Sequence, residues 1–515
     1  MGSAEKPVIA TQHGWVRGLV RDGIMTFLGL PYAAPPVGDA RFRPPGPPAP
    51  WTGVRDVLNY GASCPHISRL PPGRTAPSWL DGPDLRMDED CLFLNVWTPG
   101  LEPGRKAPVM VWLHTGGFVN GSGSPPLFAG DRLARRGDVV VVTLNHRLGA
   151  LGFLALGGLA DGYEGAANAG MLDIVAALEW VRDNISAFGG DPDCVTIFGE
   201  SGGGLKVSTL LAMPAAQGLF HRAIIQSGAR VFHMEAERAR EATARLVDRL
   251  GFGADPMAGL RSVAVKDLLA AQSATAKSMP SQAPGFPHVF SPSLDGAVLP
   301  RHPFSPDAPL QSADVPIMVG YNRTEATYFH RLNYGPNDPD MTLAAAEARL
   351  RPVMGEDTGD ILRAFGEAFP QHSPFETYIE AFTAFPTAIY TQALAGRKAA
   401  AGRAPAFVYR FDWSGSIWSR TPGAPHMIEL PFVFDAVDRA PQMVPDTPLT
   451  RSLAAQVSEA WCAFARTGSP KAAGWPEWEP YDQASPMRLL IDEHSRMAPD
   501  LGGAPRAALA RALAI

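Results

Sequence analysis

Cysteine is scarce in this chain, with four among 515 residues. That is too few for a disulfide scaffold. Cys64 and Cys91 could pair to close a loop, but a reducing cytoplasm disfavours such a bond. Cys194 and Cys462 sit in apolar surroundings and read as buried thiols. Basic charge is not in excess either. The net charge of −6 gives no electrostatic reason to expect nucleic acid or an anionic membrane as partner. Long hydrophobic runs are missing: the most apolar region, Val139 to Leu156, is interrupted by Asn145, His146 and Arg147, so no membrane span is expected. The opening MGSAEKPVIATQHG lacks the apolar stretch of a secretory leader. It also carries Lys6 where myristoylation needs Ser or Thr. The cytoplasm is the expected compartment, with secretion the alternative if a leader has been removed. No internal repeat occurs, and biased composition is confined to short proline-rich loops such as Pro44 to Pro50.

What is present is apolar material for a core. Hydrophobic residues make up 46% and charged residues 19%, the balance of a globular protein. The length exceeds that of most domains, yet α/β folds with insertions reach it. Residues 1–515 are read as one unit, with a helical insertion around 330–405. Residues 8–60 read as short strands and turns. Continuous apolar runs at Pro108–Leu113, Val139–Leu144, Val195–Phe198 and Ile224–Ile225 predict strands buried on both faces. Leu92–Trp97, Ile317–Gly320 and Phe407–Phe411 add further strands. Helical periodicity covers Asp173–Phe188, Thr342–Arg403 and Leu453–Thr467. Strands alternating with helices predict a mainly parallel sheet covered on both faces.

The stretch Phe188 to Gly203 carries the strongest chemical signal. Gly199-Glu200-Ser201-Gly202-Gly203 follows the apolar run Cys194–Phe198 and precedes Leu205, Val207, Leu210, Leu211 and Met213 at helical spacing. A serine at the apex of a sharp strand-to-helix turn is a nucleophile elbow, the mark of an α/β-hydrolase. Its glycines make room where Cβ atoms would collide, and the helix N-terminus points N–H groups at a developing oxyanion. A second glycine pair lies in His114-Thr115-Gly116-Gly117-Phe118, directly after Pro108–Leu113. Gly116, Gly117 and Gly202 are the expected oxyanion donors.

A base and an acid should follow the serine in that order of acid, then histidine. His426 lies in the loop Gly423-Ala424-Pro425-His426, after the Phe407–Phe411 strand and before Glu429-Leu430-Pro431-Phe432. For the acid, Glu325 in Asn322-Arg323-Thr324-Glu325 competes with Asp295. Asn-x-x-Glu also matches a capping box, and Ser293-Leu294-Asp295-Gly296 has the look of a turn. Position alone leaves these choices open.

Taken together, these segments resemble the type-B carboxylesterases, the family that also holds the cholinesterases. Phe27–Ala33 with Pro35–Gly38 resembles its N-terminal motif, Glu89–Asn95 its second signature, and Phe188–Gly203 its serine signature. Asn322–Glu325 and Gly423–Phe432 match the segments carrying the acid and the histidine. The resemblance implies a triad of Ser201, Glu325 and His426, with Glu200 in a supporting hydrogen-bond network. It also implies a Cys64–Cys91 disulfide, a buried Arg147–Asp173 ion pair and a second pair of Arg41 with Glu89. No metal or organic cofactor is implied. The implied reaction is hydrolysis of a small-molecule carboxylic ester through an acyl-enzyme, by a monomer or weak homo-oligomer.

The chain departs from that pattern in four places. Thr115 replaces a glycine of the oxyanion loop, Gly202 replaces the commoner alanine, and His146 stands where tyrosine is usual. Lys206 occupies a helix position normally small and polar. If buried, it needs a carboxylate or a wet pocket, and a structural ion pair is favoured over contact with an anionic substrate. Pocket walls are expected from Phe118, the Tyr328-Phe329 segment and Trp413–Trp418. A non-catalytic binding module is the rival reading, opposed by retention of all three triad candidates. Within enzymes, amide, carbamate and thioester hydrolysis would use the same groups.

Overall fold

A computed structural model of the chain describes residues 6–67, 86–253, 255–279, 289–335, 337–416 and 423–515. In chain order its strands are β1 (Val8–Thr11), β2 (Gly14–Arg17), β3 (Leu19–Arg21), β4 (Ile24–Pro31), β5 (Val54–Asp56), β6 (Phe93–Thr98) and β7 (Ala107–Leu113). There follow β8 (Val140–Leu144), β9 (Gly190–Glu200), β10 (Arg222–Gln226), β11 (Ile317–Asn322), β12 (Ala406–Phe411), β13 (Met487–Ile491) and β14 (Arg496–Pro499). β1, β2 and β5 form a small separate sheet. The other eleven form one large sheet in the order β14-β13-β12-β11-β10-β9-β7-β8-β6-β4-β3.

The middle of the large sheet, from β8 through β7 and on to β13, is parallel. Both ends are antiparallel. The central strands explain themselves by composition. β7 reads Ala-Pro-Val-Met-Val-Trp-Leu and is buried at every position, because helices cover both faces of a parallel sheet. Val109, Val111 and Leu113 face one core, and Met110 and Trp112 the other. On the second face Trp112 packs on Phe128, Phe198 and Phe434 with ring centroids 4.9–5.1 Å apart.

Most of the expected elements are present, with shifted edges. The helix expected over Asp173–Phe188 is Ala169–Asn184 followed by a 3-10 turn, Ile185–Phe188. The Thr342–Arg403 region is four helices, Leu343–Met354, Thr358–Ala368, Pro374–Thr383 and Ile389–Ala401, lying between β11 and β12. The segment Gly190-Asp191-Pro192 is the start of β9, with Gly190 pairing with Ala107 before a register shift at Val109. Among the described residues, no helix is long and apolar enough to cross a membrane.

Two expected ion pairs form. Arg147 and Asp173, both essentially unexposed, make a two-pronged contact in which Arg147 Nε reaches Asp173 Oδ2 at 2.8 Å and Nη2 reaches Oδ1 at 2.6 Å. Arg41 Nε donates to Glu89 at 2.6 Å. The expected Cys64–Cys91 disulfide does not form: both residues are buried free thiols. The Leu148 N–H donates to Cys64 Sγ at 3.3 Å. A hydrogen bond with Cys64, and then burial, push the Cys91 thiol well above its usual range.

Candidate active site

The site forms where the C-terminal ends of β7, β9, β10, β11 and β12 meet. β9 ends at Glu200, and the helix Gly202–Leu210 begins two residues later. Ser201 bridges them at φ 55° and ψ −116°. A left-handed φ costs a non-glycine residue roughly 1–3 kcal/mol and persists only where neighbours impose it. Here they do: the Ser201 N–H donates to Gln226 O at 2.8 Å, and Ser201 O accepts from the Leu205 N–H at 2.9 Å. The turn is tight enough that a Cβ on Gly203 would fall 2.0 Å from Leu113 O.

The oxyanion-loop candidates lie against this turn. Gly116 and Gly117 take φ of +94° and +66°. The left-handed backbone thus falls on two glycines and not on Thr115, so the β-branched side chain there meets no conformational penalty. A Cβ on Gly202 would sit 2.2 Å from Gly117 N, so the two backbones are in direct contact. Gly117 and Gly202 are brought together, with Gly116 beside them.

His426, 5% exposed, projects from the loop after β12. Its Nδ1 is hydrogen-bonded to Glu325 Oε2. Glu325 is the first residue of the helix Glu325–Tyr334, at the end of β11. Its other oxygen accepts from the Asn322 N–H at 2.6 Å and Ser227 Oγ at 2.5 Å. Of the competing capping-box reading only half is present: Glu325 reaches back to the Asn322 N–H, but the Asn322 side chain turns away to Glu429. Asp295 is a turn residue, its Oδ1 accepting from the N–H groups of Ala297 and Leu299 at 3.0 and 2.9 Å.

Glu200, with no exposed surface, lies with Oε1 3.2 Å from His426 Nε2. The Met427 backbone N–H also bonds to its carboxyl group. Burial alone would lower His426, but the negative charges of Glu200 and Glu325 outweigh it and raise the imidazole to about 9. Burial likewise raises Glu200 well above the carboxylate range, against the pull of His426. The two groups thus compete for one proton and titrate as a unit.

Several partners were not foreseen. Glu429, fully buried, accepts from Asn322 Nδ2 and from Gln226 Nε2 at 3.4 Å. Burial, then the charge of Glu325, raises it to about 7. Trp461 Nε1 donates to Gln226 Oε1 at 3.2 Å. Glu429 was visible three residues after His426, whereas Ser227 and Gln226 carried no signal. The rings of Phe329 and Tyr328 lie 5.0 and 5.6 Å from His426. Trp413 instead packs on Phe432 in the core, 2% exposed, and Trp418 lies outside the described residues. Lys206 is fully buried without a carboxylate, its Nζ donating to His114 O at 2.8 Å. The expected ion pair is absent among the described residues, and full burial removes it from contact with an anionic substrate. Among the described residues, no group of three or more His, Cys, Asp or Glu is arranged to hold a metal ion.

Residues 5–505 match the carboxylesterase family. The chain belongs to that family. It is 38% identical to the para-nitrobenzyl esterase of Bacillus subtilis over 94% of each chain. It is 36% identical to the phenmedipham hydrolase of Pseudarthrobacter oxydans, covering 96% of this chain and 97% of that one. A solved carboxylesterase of Geobacillus stearothermophilus superposes with a TM-score of 0.83 at 34% identity, covering 98% and 99% of the two chains. Membership fixes the reaction class: this carboxylesterase is a serine hydrolase of carboxylic esters, on an α/β-hydrolase fold.

Proposed function

We propose that Ser201, His426 and Glu325 are the catalytic triad of this carboxylesterase, and that the N–H groups of Gly116, Gly117 and Gly202 hold the oxyanion. The observation that carries the reading is that His426, bonded to Glu325, lies 3.2 Å from Glu200, the residue before a serine held at positive φ on the elbow. Glu325 bonded at Nδ1 leaves Nε2 as the nitrogen that faces the reacting groups. His426 Nε2 removes the Ser201 proton as Oγ bonds to the ester carbonyl carbon, and the carbonyl oxygen becomes the oxyanion. The tetrahedral species collapses by breaking the bond to the alcohol oxygen, which takes the proton from His426. Water then bonds to the acyl carbon as His426 takes its proton, and collapse breaks the bond to Ser201 Oγ, which recovers the proton from His426 as the acid leaves.

The substrate we infer is an uncharged ester with a sizeable apolar portion. Tyr328 and Phe329 beside His426 support an aromatic or alkyl group there, and the name of one relative, para-nitrobenzyl esterase, supports an aromatic alcohol. We read the chain as one catalytic unit whose small-molecule ester needs no resident cofactor. Ser201→Ala should abolish turnover of p-nitrophenyl butyrate while leaving the folded protein intact. Retained turnover would remove Ser201 from the mechanism.

A further inference from the structure

Lys206 is the departure that the ester chemistry does not absorb. It follows Gly202 by one helical turn, so Gly202 and Lys206 share a face of the helix Gly202–Leu210. That face packs on the end of β7 and the loop after it. A Cβ at Gly202 would strike Gly117, one at Gly203 would strike Leu113 O, and Lys206 Nζ reaches His114 O at 2.8 Å. Three successive contacts thus join the nucleophile helix to the segment from Leu113 to Gly117.

Two histidine rings feel the charge of the amine. His114 and His146 stack with ring centroids 4.9 Å apart. Their Nδ1 atoms are bonded to the carbonyls of Thr115 and Arg147, both at 2.8 Å. That leaves each Nε2 as a lone pair with no partner among the described residues. The Phe118 ring lies 6.0 Å from Nζ. Burial, and then Lys206, hold His114 and His146 well below the usual imidazole range, so both are neutral. Burial similarly pushes the Lys206 ammonium well down. A lysine in this setting neither forms an ion pair nor touches substrate. Among the described residues its hydrogen bond is to the carbonyl at the root of the oxyanion loop.

We propose that Lys206 is a positioning residue: by holding the His114 carbonyl it seats the Gly116–Gly117 turn on the N-terminus of the nucleophile helix and sets the spacing of the oxyanion donors. Gly202 supplies the space for that close seating and Lys206 the tether. The inference rests on ester hydrolysis through Ser201.

The test compares Lys206→Met, which keeps chain length and removes the donor, with Lys206→Gln, which keeps an N–H donor without the charge. Turnover of p-nitrophenyl butyrate is expressed per site titrated by an organophosphate, so that loss of folded enzyme is divided out. Lys206→Met should lower kcat per site by about ten- to a hundred-fold, the scale of a loop misplaced by 1 Å, with KM nearly unchanged. Lys206→Gln should recover most of that loss. Wild-type kcat per site in Lys206→Met overturns the proposal, and so does equal impairment of the two variants. If Lys206→Met yields no titratable sites, Lys206→Gln decides alone: near-wild-type kcat per site supports the tether, and a deep loss with full titration overturns it. Turnover by Ser201→Ala would defeat the triad itself and with it the tether's role, a failure distinct from loss of the Lys206 effect alone.

Discussion

Alanine is the commoner residue at position 202 in the pattern this chain resembles, yet here Gly202→Ala should be damaging. The added Cβ would lie 2.2 Å from Gly117 N, 2.4 Å from Gly117 O and 2.5 Å from Gly117 Cα. All three are backbone atoms, so no side chain can swing aside. Ordinary contact begins near 3.4 Å, and relief needs the loop and helix to part by about 1 Å, a shift that alone can cost 10²-fold in rate. The tether from Lys206 to His114 O, one turn along the same helix face, opposes that separation. Moving the Gly117 N–H out of line removes one oxyanion donor, worth about 3–4 kcal/mol or 10²–10³ in kcat. The assay is kcat for p-nitrophenyl butyrate per titrated site, together with inhibition by a boronate that mimics the tetrahedral species. Turnover and boronate affinity should fall together while KM stays nearly constant. Activity within about threefold of wild type would refute the close-seated geometry, since even a partial loss of one donor exceeds that.

Activity should rise from neutral to alkaline pH, because His426 must be neutral to act as base and its surroundings raise it to about 9. The same shift has a stability cost of opposite sense: a histidine raised from 6.5 stabilises the fold fully below that value and loses the contribution as pH climbs through about 9. Melting temperature should therefore decline over the window in which kcat/KM climbs. Glu200→Gln removes the largest raising charge and should move the rate midpoint to lower pH; an unmoved midpoint would discount the Glu200–His426 contact. Arg147→Met strands Asp173 as a buried, unpaired carboxylate, which should cost about 3–5 kcal/mol. Urea unfolding would show this as a lower midpoint with kcat per titrated site retained, and an unchanged midpoint would contradict the buried pair.

Legibility in the sequence followed locality. Pro108–Leu113 and Val139–Leu144 could be read because central parallel strands are apolar on both faces, a property of the segment itself. The beginning of β9 at Gly190 could not, since Gly-Asp-Pro owes its extended pairing to Ala107 far away in the chain. β13 and β14 were passed over for the same reason: Met487–Ile491 becomes a strand by pairing with β12. At the site, Ser201 carries its own signature, a serine between glycines at a strand end. His426 and Glu325 became specific only through resemblance, because a loop histidine and a helix-opening glutamate look ordinary in isolation. Ser227, Gln226 and the role of Glu429 arise from tertiary convergence of three strand ends. Lys206 shows the limit in the other direction. Burial was the right condition to consider, but a backbone carbonyl, not a carboxylate, meets its amine.

The role of Ser201 as nucleophile can be checked by treating the enzyme with an organophosphate and mapping the adduct by peptide mass spectrometry. One phosphoryl group per chain on the peptide containing Ser201, with turnover lost in proportion, is the predicted result. A stoichiometric adduct on another residue, or full labelling of Ser201 with turnover intact, would contradict it.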